Sequence, residues 1–160
     1  MDNFNAAIRE AYRLADQRLE WQFTSAIAAD QRAMGVAGML SAAAAILAAL
    51  AENVTASWLL LVGSGGLVIA TCLAWYSARP TAFYAPGAEF SNFKSDIDAA
   101  RPIDDVLTEM GGFHDKHIRY NDARMITSSS QMKWAFRVAL GSVALVIIGQ
   151  IALGFCACAL

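Results

Sequence analysis

His114 and His117 are the residues of this sequence best placed by type and spacing to do chemistry. They stand three apart with Asp115 between them and Glu109 one to two turns earlier. Two imidazoles on one helix face could hold a metal ion, but a stable site needs a third and fourth ligand, and none stands at a diagnostic spacing. They are read as surface or interface histidines, with no metal and no cofactor. Asp96, Asp98, Asp104 and Asp105 form an acidic cluster that could bind a hard cation or act as an acid/base pair. It lacks the glycine and the terminal glutamate of an EF-hand loop, and a helix start with a solvated negative face accounts for it. With no GxSxG, Walker loop, HExxH or CxxC in the chain, no catalytic residue is assigned and a non-enzymatic protein is expected.

Composition directs attention to the elements that would carry any such residues. Of the 160 residues, 57% are apolar and 16% charged, with a mean hydropathy of +0.41. The 12 Lys and Arg against 14 Asp and Glu leave no basic surface for a nucleic-acid backbone. Cys72, Cys156 and Cys158 sit in apolar runs, an odd count without framework spacing. Three stretches carry no Asp, Glu, Lys, Arg or His: Ala33 to Ala51, Asn53 to Ala78 and Val138 to Leu160. About 20 apolar residues at 1.5 Å each cross a ~30 Å hydrocarbon layer.

The fold class expected is therefore an all-α membrane protein with three transmembrane helices and cytoplasmic helical extensions of the first and third spans. Residues 1–32 form a cytoplasmic amphipathic helix continuous with the span at 33–51, and a periplasmic turn at 52–57 leads to a second span at 58–78. A cytoplasmic loop with helices fills 79–137, and the third span is 138–160. Every Lys and Arg lies before the first span or between the second and third. The positive-inside rule thus predicts a multi-pass protein of a bacterial inner membrane, N-terminus cytoplasmic and C-terminus periplasmic. Residues 1–31 are polar and acid-containing, so the first span is expected to be its own insertion signal.

Apolar residues recur at Phe4, Ile8, Tyr12, Ala15, Leu19, Phe23 and Ile27 in steps of three and four, the mark of an amphipathic helix whose stripe needs a partner helix. Asn3 or Asn5 can cap it. Small residues stand at four-residue intervals in the first span (Ala37, Ser41, Ala45, Ala49) and the second (Gly66, Ala70, Ala74, Ala78). Such rows let helices approach closely in lipid. Asp30 and Arg32 are placed at the membrane edge, as interfacial anchors or as a latch to another helix or to lipid headgroups. The polar inventory at membrane depth is Ser41, Ser64, Thr71, Ser142 and Gln150. Gln150, counted near the middle of the third span, would line a channel or bond to a second helix. No ionisable side chain lies inside a span, which argues against a proton relay or an ion-coupled transporter.

After Pro80, the turn Pro86-Gly87 and the aromatics Phe83, Tyr84, Phe90 and Phe93 predict a loop that lies on the membrane surface or covers a helix pair. A short helix is expected over Ser91 to Ala100, and another with Pro102 in its first turn. Gly111-Gly112 predicts a kink or a break, after which Phe113 to Arg137 reads helical, with Ile118, Met125 and Met132 spaced by seven.

The stretch Ala28-Ala29-Asp30-Gln31-Arg32-Ala33 before a membrane hairpin resembles the same region of small bacterial membrane proteins of the SLATT and Pycsar-effector type. Phe83-Tyr84-Ala85-Pro86-Gly87 and Arg119-Tyr120-Asn121-Asp122 ahead of the last span are similar to related three-span proteins. The resemblance implies a phage-defence effector that assembles in the inner membrane and breaches it on a signal. The function expected is a self-associating protein that permeabilises or remodels the membrane, its partners being lipids and further copies of itself. The alternative is a structural or accessory subunit of a larger membrane complex.

Overall fold

The computed structural model describes residues 2–52, 57–79 and 81–158, with side chains over 5–52, 57–79 and 81–154. Four helices account for nearly all of them, and no strand occurs among the described residues: α1 (Asp2–Ala51), α2 (Ser57–Ser77), α3 (Ser91–Asp98) and α4 (Ile103–Cys158). α1 runs without interruption through the first apolar stretch, and it begins ahead of both Asn3 and Asn5. α4 likewise passes through Gly111 and Gly112 unbroken. A glycine costs about 1 kcal/mol relative to alanine in a helix, and the packing of Val106, His114 and Ile118 on either side outweighs it. Residues 53–56, within the turn expected at 52–57, and Pro80 lie outside the described residues. α1, α2 and α4 are long and apolar enough to cross a membrane, as in a multi-pass membrane protein.

The chain divides into two compact units, one of Met1–Ala28 with Thr81–Ile126 and one of Ala29–Pro80 with Thr127–Leu160. The second, here the span unit, packs α1, α2 and α4 through layers of small residues. Ala37 meets Ala74 and Ala135, Ala44 meets Leu67, Ala70 and Ala139, and Ala51 meets Leu60 and Val146. The layers ascend α1 and α4 together and descend α2, so α2 is antiparallel to both. Steps of seven along α1 (37, 44, 51) keep the seam on one side of each helix. Large apolar side chains such as Met39, Ile46, Ile69, Leu140 and Ile148 point outward, a surface suited to lipid.

The first, here the polar unit, pairs the opening of α1 with the opening of α4. Arg9 reaches Asp104 at 3.1 Å and Arg18 reaches Asp122 at 3.1 Å, so the two segments run parallel. Residues 81–90 form an extended strap, and α3 is tied to α4 by Arg101, which bridges Asp96 at 2.7 Å and Glu109 at 3.1 Å. Ala100 takes a φ of 51° in the turn between α3 and α4.

Candidate functional site

The buried interior of the polar unit is half polar. Among the described residues it comprises Leu19, Val106 and Ile118 together with Gln22, His114 and Asn121. Gln22 and Asn121 are each 0% exposed, and a buried amide must find partners or lose its hydration uncompensated. Gln22 Nε2 donates to the Ile118 carbonyl at 3.2 Å and to Asp122 Oδ1 at 2.6 Å. Asn121 Nδ2 donates to Gln22 Oε1 at 3.3 Å and to the Tyr84 carbonyl at 3.1 Å, while its Oδ1 accepts the Tyr84 N–H at 3.1 Å. One asparagine thus holds both main-chain groups of a strap residue that has no helix to satisfy them. All four amide N–H bonds of the pair are used.

Aromatic contacts complete the clasp. The Tyr84 ring stacks on His117 with centroids 3.9 Å apart and planes 6° from parallel, and meets Tyr120 edge-on at 5.2 Å. Arg124 donates from Nε and Nη2 to the Tyr120 hydroxyl at 3.2 and 3.0 Å. Deeper along the seam His114 stacks on Tyr12 at 4.9 Å. Burial, opposed by Asp16 and Asp115 and reinforced by His117, holds the His114 imidazole below the ordinary histidine pKa. Burial, and then the Asp16 charge, pushes the Tyr12 phenol up. The strap therefore covers a helix pair. No group of three metal-ligating side chains is found among the described residues: the two histidines lie on different aromatic partners, and Asp96 and Asp104 are occupied by arginines.

The residues singled out by spacing are distributed as follows. On the α1 stripe Leu19 is fully buried and Ile8 and Tyr12 half-buried, whereas Phe23 and Ile27 are exposed; the Phe4 side chain lies outside the described residues. The register moves by one position, from Phe23 to Gln22. In the small-residue rows Ala37, Ala70 and Ala74 are buried and Gly66 is half-buried, but Ser41, Ala45 and Ala49 face outward. A strict four-residue interval turns 40° per step on a 3.6-residue helix, so the row leaves the seam, which passes instead through Ala44 and Ala51. Asp30 is half-buried and Arg32 exposed, both on α1.

Of the hydroxyls, Ser41, Thr71 and Ser142 donate back to the carbonyl four residues earlier. Ser64 donates across to the Ala44 carbonyl at 2.9 Å. Gln150 adjoins Gly149, which packs on Leu59 in the first turn of α2. It is therefore level with the end of the hairpin rather than its middle, because α4's register is set by its neighbours and not by its own apolar run. That register also brings Lys133 and Arg137 beside the layer of Ala37 and Ala135. Both remain exposed, with Arg137 laid 5.0 Å over Trp134.

Spacing did not single out Gln22, Asn121 or the Ser77–Ser128 clasp. In that clasp each hydroxyl lies 2.9 to 3.0 Å from the other residue's carbonyl. The available signal was an amide in each heptad seam: Gln22 follows Ile8 and Ala15, and Asn121 follows His114, at steps of seven. Comparison with protein-family models, with curated proteins and with solved structures finds no match.

Proposed function

We propose that this chain is a non-enzymatic bacterial inner-membrane protein that self-associates through its spans and permeabilises or remodels the bilayer. Residues 1–32 and 79–137 lie in the cytoplasm and the C-terminus outside, following the distribution of Lys and Arg. One observation carries the assembly half. α1 bears two faces of small residues, and the chain's own α2 and α4 occupy only the one through Ala37, Ala44 and Ala51. The other, Gly38, Ser41, Ala42, Ala45 and Ala49, is exposed, with open space above Gly38. In lipid a small-residue face is where a second helix packs most closely. Within the α1 stripe Tyr12 stacks on His114 of the same chain and Leu19 is buried, so association is assigned to the spans. The permeabilising half rests on the resemblance to SLATT-type and Pycsar-type effectors.

Gently extracted protein should run as an oligomer at micromolar concentration, and Ala45→Leu with Ala49→Leu should lower its mass toward the monomer. Induced expression should depolarise cells. A monomer in mild detergent sinks the assembly half; harmless expression with a stoichiometric foreign partner replaces the reading with that of an accessory subunit.

A further inference from the structure

His114 is only 4% exposed, and its Nδ1 is the buried side-chain nitrogen or oxygen without a hydrogen-bond partner among the described residues. A neutral imidazole carries one N–H and one bare nitrogen. Leaving Nδ1 bare strands only a lone pair, whereas protonating it strands an N–H that shares a positive charge. Several groups face this ring. Tyr12 from α1 stacks on it, Asp16 from α1 and Asp115 from α4 favour its cation, and His117 from α4 opposes it. The strap meets the same groups: Asp16 Oδ1 accepts the Gly87 N–H at 3.3 Å, and the Tyr84 ring covers His117.

We infer that the polar unit is acid-sensitive, and that uptake of one proton by His114 releases the strap 81–90 from α1 and α4. The α1 carboxylate that acts on this ring is the one anchoring Gly87, so a His114 cation that pairs with Asp16 withdraws it from the strap. A cation that leaves the seam for water instead opens the interior that Asn121 and Tyr84 close. Both routes free the same segment. The direction follows from linkage: a histidine held neutral when folded gives full stability above its ordinary pKa, about 6.5, and loses it as the pH falls from there toward the depressed folded value.

Hydrogen–deuterium exchange on the full chain in nanodiscs, at pH 7.5 and 5.5 with intrinsic rates corrected, reads the amides of 81–90 directly. One pH unit below 6.5 linkage favours the open form by at most about tenfold, so protection at Tyr84 and Gly87 should fall, with about tenfold as the ceiling, while α2 is unchanged. His114→Phe should keep the strap protected at both pH values, and His117→Phe should keep the fall. If His114→Phe loosens the strap at pH 7.5, His114→Gln serves as the variant that must be flat. Equal protection of the wild-type strap at the two pH values, or a fall that persists without His114, overturns the inference. The readout is local to the strap and independent of whether the spans self-associate.

Discussion

The two units of this chain solve the same problem, holding α1 against α4, with opposite materials. In the span unit the contacts are alanines, glycines and a few hydroxyls, interleaved with Leu60, Leu67 and Val146, and at three glycines the helices approach until there is no room for another atom. A Cβ built on Gly66 would meet the side chain of Ser142, one on Gly63 would meet Val146, and one on Gly149 would lie 2.8 Å from Leu59. In the polar unit the contacts are amides, rings and a carboxylate, and the strap is held by the main chain of Tyr84. Hydrocarbon drives no apolar association, so close packing of small residues is what remains there. In the polar unit a fully bonded amide layer defines one register at a modest net gain. The first material is sensitive to volume and the second to hydrogen-bond partners and protons.

The sharpest way to break the contrast is to exchange the sensitivities. Gly66→Val should cost about 3 kcal/mol by overpacking against Ser142, read as a loss of thermal stability in detergent. Gly38→Ala, with nothing within 4 Å of its added Cβ, should cost nothing and should instead add about 1 kcal/mol by removing a glycine from a helix. Asn121→Ala should cost about 2 kcal/mol, because it leaves the Tyr84 N–H and carbonyl and the Gln22 oxygen unpaired; exchange should show the strap opening while α2 stays protected. A double-mutant cycle of Gln22→Leu with Asn121→Leu should return a coupling near 1 kcal/mol. Ser77→Ala should cost about 1 kcal/mol through the Ser128 clasp. The smallest effect belongs to Arg18→Ala. Its pair with Asp122 is well exposed on both sides, and less than about 0.5 kcal/mol should be lost, vanishing in high salt. Equal responses of strap and α2 to Gly66→Val and Asn121→Ala would show that the two materials do not act separately.

Helix length and apolarity were legible because they are properties of single segments. The unbroken α1, the three apolar helices and the short helix before Pro102 follow from local pattern, whereas for the aromatic segment the pattern left the membrane surface and a helix pair open and its bonds to Asp16 and Asn121 place it on the pair. Ile118 lies in the seam as its heptad suggests. Faces were legible only to within one residue. Gln22 takes the buried position that apolar periodicity assigned to Phe23, since an amide with three partners is as well buried there as a ring. Gly63 and Gly149 were invisible, because a glycine's role depends on which side chain crosses it.

Composition and periodicity alone determined that this chain builds long helices and that three of them are apolar enough to cross a bilayer, because hydropathy and helical repeat are summed along one segment. Tertiary structure decided which face of each helix is used. Seams depend on the register between helices, and a 40° drift per four residues carries Ala45 outward while Ala44 stays inside. It also decided that His114 is enclosed beside Tyr12 without a partner for Nδ1, since burial is a property of what packs around a residue and not of the residue itself.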